Sequence, residues 1–159
     1  MATPLPFFVY GTLMKGFRNF ERHVKPYRSL RVVSSRGVVA NASLVHFPMG
    51  YPGMYPGTGV VVGEVVTVDD PAEYSAFLLG LDELEEFFGP NDPSNEYDRV
   101  EIDVACDDGA IVRAWAYFCK IPRETAVAAV ADGDWRAYMA THDLQDIHAD
   151  KDDGVHHDH

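Results

Sequence analysis

Apolar residues along the chain fall into short runs separated by glycine and proline, a pattern typical of strands joined by turns. Residues 7–10 form an aromatic, β-branched run that stops at Gly11, and this predicts a buried strand followed by a turn. Valine-rich runs at residues 30–44 and 59–68 predict further strands, the first interrupted at Gly37 by a turn or bulge.

The break at Gly11 is also a candidate binding feature. A strand that ends at Gly-Thr leaves backbone amides that the sheet does not pair, and such amides are natural donors to a carboxylate or an oxyanion. The same residues are equally typical of an ordinary turn.

A β-hairpin is predicted in the second half of the chain. Residues 97–105 alternate between apolar and polar side chains, residues 110–119 are rich in aromatic residues, and an Asp-Gly turn lies between them. Cys106 and Cys119 fall at different distances from that turn, so they do not face each other and we expect two free thiols.

A proline- and glycine-rich segment follows the first long strand. Residues 46–57 contain three prolines and three glycines, which predicts an irregular loop. The loop also carries large apolar side chains, Tyr51 among them, which suits either the wall of a pocket or a cover over the end of a barrel or sheet.

Three segments show helical patterns. We expect a short amphipathic helix within residues 14–27, an alanine-rich helix at residues 124–130, and a helix from Trp135 to about Thr141 capped by Asp134.

A fourth helix carries the most informative residue. Asp70 is suited to cap its start and Pro71 to occupy its first position. At about 100° per residue, one apolar arc contains Tyr74, Phe77, Leu78, Leu81, Leu84 and Phe88, and Glu85 projects into that arc. A buried, unpaired carboxylate costs several kcal/mol or takes up a proton, so Glu85 requires a pocket, a catalytic role, an ion pair with Arg99 or Arg113, or an edge position that reaches solvent.

Composition and charge limit the classes of function. At 159 residues with 47% hydrophobic content, the chain suits one domain, which we place at residues 1–142. The 13 basic and 25 acidic residues give a net charge of −12, which disfavours nucleic acid and anionic membranes as partners. An acidic tail, residues 143–159, is expected to be disordered.

We find neither a long apolar segment nor an export signal, and with free thiols this predicts a cytoplasmic protein.

Several common catalytic patterns are missing from the sequence. It has no HExxH spacing, no GxGxxG, no phosphate loop and no evident Ser, His and Asp set. We therefore expect neither a cofactor nor a metal, and we expect the tail histidines to bind divalent ions only weakly.

With these elements in place, the sequence resembles the γ-glutamylcyclotransferase-like superfamily, and within it the branch that includes the γ-glutamylamine cyclotransferases. The resemblance spans about residues 6–140. It is carried in order by FVYGTLMKG at 8–16, GYPG at 50–53, VGEV at 62–65, LDELE at 81–85, YDR at 97–99 and AWAY at 114–117.

This resemblance implies an α+β fold: a small mixed β-barrel flanked by helices, with one cavity. It also implies an enzyme that takes a γ-glutamyl amine or small γ-glutamyl peptide and releases 5-oxo-L-proline and a free amine or amino acid, acting as a monomer or homodimer without a cofactor. Glu85 matches the family's acid/base glutamate. The implied substrate-binding residues are Tyr10, Gly11, Thr12, Leu13, Tyr51, Tyr97 and Arg99, although Arg99 is equally suited to a structural ion pair.

The chain departs from the family at one position. The family commonly has glycine after the catalytic glutamate, whereas this chain has Glu86, which bears on substrate choice more than on activity. A non-catalytic protein that binds a small molecule in the same cavity is the alternative function, because fold does not fix activity.

Overall fold

The computed structural model describes residues 4–141, and over this range five strands close into a mixed barrel. The strands are β1 (Phe7–Val9), β2 (Leu30–His46), β3 (Pro52–Val68), β4 (Tyr97–Cys106) and β5 (Ile111–Cys119), with β6 (Ala128–Val130) added beside β2. Two α-helices are present in this range, α1 (Pro71–Leu84) and α2 (Trp135–Thr141). The predicted fold class is confirmed.

The barrel closes in the order β3-β1-β5-β4-β2, with β2 returning to pair with β3. The pairing of β1 with β5 is parallel, with Phe7 opposite Trp115, and the other pairings are antiparallel. Strand β1 lies between β3 and β5 in the barrel wall. The turn that follows its last residue, Val9, therefore lies at one end of the barrel.

The long strands bend where the sequence predicts interruptions. Register shifts in β2 fall on both sides of Ser34 and near Ala42, and Gly37 pairs with both β3 and β4. The predicted break at Gly37 is thus confirmed as an irregularity in one continuous strand.

The prediction of an irregular loop over residues 46–57 is wrong for half of that segment. The connection covers only residues 47–51, where the Phe47 amide donates to the Tyr51 carbonyl at 2.9 Å, and β3 begins at Pro52. Gly53 pairs with Val45 of β2, and glycine suits this position because a Cβ there would lie 2.6 Å from Phe47 Cε2. Pairing with β2 therefore outweighs the local turn propensity of the proline and glycine residues.

Two helical predictions differ in outcome. Within residues 14–27 a short helix is present over residues 18–24, with Phe20–Val24 as a π-helical turn that buries Phe20 and Val24 and exposes Glu21 and Arg22. The other prediction is wrong. In place of a helix at residues 124–130 there is a 3₁₀ turn, Arg123–Thr125, followed by β6, which pairs with Leu44–His46 of β2. Pairing with an available strand overrides the helix propensity of alanine.

The remaining helices and the hairpin agree with the predictions. Asp70 accepts a hydrogen bond from the Glu73 amide at 3.0 Å, and Pro71 is the first residue of α1. Asp134 caps α2 through the Ala137 amide at 3.1 Å. Strands β4 and β5 pair as predicted, and within the described residues Cys106 and Cys119 are both free.

Helix α1 packs against the barrel through Phe77 and Leu81, which are buried, and the ring of Phe77 meets the ring of Phe7 edge-on at 5.0 Å. The helix ends at Leu84 because Glu86 has a φ of 56°, which is incompatible with continuing it. Phe88 is consequently 59% exposed and lies outside the predicted apolar arc.

No helix within residues 4–141 combines the length and apolarity needed to cross a bilayer. The predicted domain end at residue 142 and the predicted tail at residues 143–159 lie outside the described residues.

Candidate active site

The turn after β1 is shaped by contact between Gly11 and Pro52. A Cβ at position 11 would lie 2.5 Å from Pro52 Cγ, so only glycine fits. The Met14 amide donates to the Gly11 carbonyl at 3.0 Å and closes the turn. The first residue of β3 therefore fixes the backbone path between Tyr10 and Leu13.

This turn lines the pocket and carries backbone amides that are available as donors. Within residues 4–141 the amides of Gly11 and Leu13 have no hydrogen-bond acceptor. Thr12 holds the turn from the other side, because its carbonyl accepts from the Phe20 amide at 3.1 Å and its hydroxyl accepts from Asn19 Nδ2 at 2.8 Å. A fixed turn with available N–H groups suits a carboxylate or an oxyanion.

Glu85 lies at the end of α1. It is the C-cap residue, and its amide still donates to the Leu81 carbonyl at 2.9 Å, so the side chain continues the inward face of the helix. The residue is only 8% exposed and lines the same pocket as the turn. The inward orientation predicted from helical spacing is present although the helix itself has ended.

The environment of Glu85 favours its protonated form. Burial, and secondarily the charge of Glu96, raise the pKa of Glu85 to about 8. Among the described residues no cationic side chain pairs with it: Arg99 pairs with Asp82, and Arg113 pairs with Glu101 and Asp103. A carboxyl group with a pKa near neutrality is equipped for proton transfer.

Three tyrosine side chains also line the pocket, and hydrogen bonds hold each of them in place. The Tyr10 hydroxyl donates to the Tyr117 carbonyl at 2.8 Å, and the Tyr97 hydroxyl donates to the Pro52 carbonyl at 3.1 Å. The Tyr117 hydroxyl donates to Asp82 Oδ1 at 2.6 Å. These bonds hold the rings around one pocket, lined by Phe8, Val9, Tyr10, Gly11, Thr12, Leu13, Pro52, Glu85, Tyr97 and Tyr117.

Arg99 and Tyr51 are not part of the pocket lining. Arg99 Nε is 3.1 Å from Asp82 Oδ1, and the guanidinium lies 4.3 Å from the centre of the Trp115 ring. The ion pair that the sequence left as the alternative for Arg99 is thus present. Tyr51 is half-buried; burial first, then the carboxylates of Glu96, Glu85 and Glu86 together with Cys119, raise its pKa to about 12.

The pocket is narrow. Its interior volume is about 30 Å³, room for about two water molecules.

A family model described as gamma-glutamyl cyclotransferase, AIG2-like, matches residues 7–137, which is most of the chain. The chain belongs to this family. The resemblance inferred from the motifs is thereby confirmed, and the match includes both the turn at Gly11 and Glu85.

Relatives of the family agree with this membership. The chain is 33% identical over 135 residues to the gamma-L-glutamyl-butirosin B gamma-glutamyl cyclotransferase of Niallia circulans, covering 85% of this chain and 78% of that protein. Together with the family model, this relative supports γ-glutamyl cyclotransferase activity in general terms.

Solved structures support the same fold. An AIG2-like protein from Mus musculus matches with a TM-score of 0.57 at 24% identity, over 74% of this chain and 78% of that one. YkqA from Bacillus subtilis matches with a TM-score of 0.60 at 23% identity over 89% of this chain, and the present chain spans only 43% of that protein.

Within this family fold, most of the residues predicted for the site lie together. The pocket lining contains Glu85, Tyr97 and the four turn residues 10–13, whereas Tyr51 and Arg99 are not part of it. Sequence reasoning did not assign Pro52 or Tyr117 to the site. Tyr117 belongs to the Ala-Trp-Ala-Tyr motif, which was the available signal, whereas the contact of Pro52 with Gly11 depends on strand pairing.

Proposed function

We propose that this protein is a γ-glutamyl cyclotransferase that converts a γ-glutamyl amine or small γ-glutamyl peptide into 5-oxo-L-proline and a free amine or amino acid. The α-amino nitrogen of the glutamyl group attacks its own γ-carbonyl carbon, forming the ring C–N bond, and the original amide C–N bond breaks. Starting from the ammonium, the attacking nitrogen gives up two protons to become the ring N–H, and the departing nitrogen takes up two to leave as an ammonium, so neither water nor a cofactor is consumed.

Glu85 is the proton carrier in this proposal. A substrate ammonium is not a nucleophile, so a base within hydrogen-bond reach must first remove a proton. With a pKa of about 8, Glu85 holds its proton in the empty pocket near neutral pH. The approaching ammonium lowers that pKa and favours the carboxylate, which then accepts the proton and delivers it to the leaving nitrogen.

The turn at Gly11 supplies hydrogen-bond donors to the negatively charged oxygens of the substrate. Its available amides, at Gly11 and Leu13, donate either to the α-carboxylate of the substrate or to the oxyanion that forms at the γ-carbonyl. Tyr10, Thr12 and Tyr97 shape the space around the glutamyl chain. Because the attack is intramolecular, holding one substrate conformer contributes much of the rate enhancement.

Two classes of leaving group are compatible with this proposal. One is a γ-glutamyl amine or dipeptide with a small leaving group. The name of the Niallia circulans relative gives γ-L-glutamyl-butirosin B as its substrate, which supports removal of a γ-glutamyl group from a larger amine by the same residues.

One observation carries the proposal. Glu85 is 8% exposed, has no cationic partner among residues 4–141, and shares a pocket with the available amides of the Gly11 turn. A buried acid and backbone donors on one cavity are what an acid/base-catalysed cyclisation requires.

The experiment is a product assay on a panel of γ-glutamyl amines and γ-glutamyl dipeptides in water enriched in ¹⁸O. We expect 5-oxoproline without ¹⁸O and an equal amount of free amine. Glutamate carrying ¹⁸O would identify a hydrolase instead. Absence of turnover on the whole panel, with binding of the same compounds by calorimetry, would favour the non-catalytic alternative.

A further inference from the structure

The VGEV motif at residues 62–65 lies on β3, beside the strand that leads into the turn at residues 10–13, called here the pocket turn. Glu64 of this motif pairs with Val9, the last residue of β1. Gly63 allows the two strands to approach closely, because a Cβ there would lie 2.2 Å from the Val9 carbonyl oxygen. No residue of the motif lines the pocket, so any part it has in the site is indirect.

Both carboxylate oxygens of Glu64 have a defined partner. Oε1 accepts a hydrogen bond from the backbone amide of Lys15 at 3.0 Å, two residues after the pocket turn. Oε2 accepts from Arg136 Nη2 at 3.0 Å, and the same nitrogen donates to the Lys15 carbonyl at 2.7 Å. One ion pair therefore holds both the amide and the carbonyl of Lys15.

The start of helix α2 brings Arg136 to this position. The Val62 amide donates to the Gly133 carbonyl at 2.8 Å, which joins the segment before α2 to β3. Gly133 has a φ of 67°, and a Cβ there would lie 1.8 Å from the Val60 carbonyl oxygen, so only glycine fits. The Arg136 guanidinium lies 5.1 Å from the centre of the Phe17 ring. Helix α2 is thus fastened to β3 and to the segment that follows the pocket turn.

Partial burial distinguishes this contact from an ordinary surface ion pair. The Glu64 side chain is 15% exposed and that of Arg136 is 48% exposed. Arg113 and Glu101 are both about half exposed, and such pairs contribute little because solvent screens them. A carboxylate that accepts from a backbone amide also forms a charge-assisted hydrogen bond, which is roughly twice as strong as a neutral one. Glu64 is therefore suited to define where the Lys15 backbone lies.

Lys15 adjoins the backbone donors of the pocket. The Met14 amide closes the turn on the Gly11 carbonyl, and the next amide along the chain is the one that Glu64 binds. Without that bond, the C-terminal side of the pocket turn loses this anchor to β3. Displacement of the turn would weaken substrate binding or catalysis, because stabilisation of an oxyanion depends on the exact placement of its donors.

We propose that Glu64 is a positioning residue for the pocket turn. Its hydrogen bond to the Lys15 amide, supported by Arg136, holds the backbone donors of the turn where they bind the substrate. Glu64 lies outside the pocket lining and acts through the backbone. This rests on the proposed function and gives the VGEV motif a part in it.

The test measures kcat/KM for one γ-glutamyl amine in the wild type, Glu64→Ala and Glu64→Gln. We expect Glu64→Ala to lose about fivefold to twentyfold, less than the roughly 10²–10³-fold that loss of an oxyanion donor itself costs. Glu64→Gln keeps an oxygen that accepts from the Lys15 amide and should lose less than about threefold. An unchanged Glu64→Ala, or equal losses in the two variants, would overturn the proposal.

The control is Glu101→Ala, which removes a 48% exposed carboxylate paired with Arg113 at 3.4 Å and should keep the wild-type kcat/KM. A double-mutant cycle with Gly11→Ala separates positioning from a general loss of stability. Once Gly11→Ala has displaced the turn, adding Glu64→Ala should lower kcat/KM by less than about a further twofold. Full additivity of the two losses would contradict action through the turn and leave the cyclotransferase intact.

If the wild-type protein turns over no γ-glutamyl amine, calorimetric affinities for the same compound decide. Weaker binding by Glu64→Ala than by the wild type and Glu101→Ala supports the positioning role, although the proposed reaction has then failed. Equal affinities, or no binding to any of the three proteins, contradict it.

Discussion

The hydroxyl of Tyr117 donates a 2.6 Å hydrogen bond to Asp82, three residues before Glu85. Tyr117 lines the pocket from β5, and Asp82 lies on α1, so this bond joins the pocket wall to the helix that ends at the candidate acid/base. Asp82 also pairs with Arg99 of β4 at 3.1 Å, and both side chains are only 17% exposed. The position of Glu85 is therefore fixed from the barrel as well as from its own helix.

Replacing Tyr117 with phenylalanine tests that connection. The change removes the donor and leaves Asp82 with Arg99 alone, so the free energy of unfolding should fall by about 1.5–3 kcal/mol, the range for a hydrogen bond to a charged group. Denaturant unfolding measures this loss. We expect kcat to fall less than tenfold, because the hydroxyl faces Asp82; a fall of a hundredfold or more in a well-folded variant would instead assign the hydroxyl to the chemistry.

Gly11→Ala tests the backbone donors. The new Cβ would lie 2.5 Å from Pro52 Cγ, so the turn or β3 must shift and the amides move with it. We expect kcat/KM for a γ-glutamyl amine to fall at least about tenfold, since oxyanion donors depend on exact placement.

The control for this change is Gly80→Ala on α1. The nearest atom to its Cβ would be the Tyr27 hydroxyl oxygen at an ordinary 3.8 Å. Alanine there should stabilise the protein by about 0.5–1 kcal/mol through helix propensity and keep full activity. Equal activities for the two alanine variants would remove the turn from the mechanism.

The pH dependence of kcat/KM follows from the pKa of Glu85. This parameter reports ionisations of the free enzyme, and burial places that pKa at about 8. We expect kcat/KM to rise with pH from 6, to reach half of its maximum near pH 8 and to level off about one pH unit higher, as Glu85 loses its proton. Initial rates of 5-oxoproline formation in overlapping buffers measure the profile, and a flat profile from pH 6 to 8 would contradict the role of Glu85.

The same pKa makes a prediction about stability. The folded protein retains the Glu85 proton up to about pH 8, whereas the ordinary value is 4.5, so between these values the folded state binds more protons than the unfolded state. Burial of Glu85 therefore costs stability increasingly as pH rises, by about 1.4 kcal/mol per pH unit within that window.

Glu85→Gln removes this titration. The free energy of unfolding of the variant should exceed that of the wild type by an amount that grows from pH 5 to pH 8. Denaturant titrations of both proteins at several pH values measure the difference. A difference that stays constant across this range would show that Glu85 has an ordinary pKa.

Local pattern was enough to predict some parts of the molecule. Glu85 was predicted from helical spacing, and its orientation holds because its amide keeps a helical bond to Leu81 after the helix proper has ended. The strand break at Gly11 and the β4–β5 hairpin also follow from short stretches of sequence.

Parts that depend on pairing with another strand were predicted wrongly. Residues 128–130 form a strand because β2 offers them a partner, and residues 52–57 are extended for the same reason. The close approach of Pro52 to Gly11, which shapes the turn, results from that second pairing. Neither contact leaves a periodic signal within its own segment.

The most direct test of the central claim is the rate of 5-oxoproline formation by wild type, Glu85→Gln and the exposed control Glu83→Gln on one γ-glutamyl amine, with folding verified by circular dichroism. We predict that Glu83→Gln retains wild-type activity, and that Glu85→Gln loses about 10²–10⁴-fold in kcat, the contribution of a positioned acid/base. Activity of Glu85→Gln equal to that of wild type would contradict the assignment of Glu85 as the group that moves the protons.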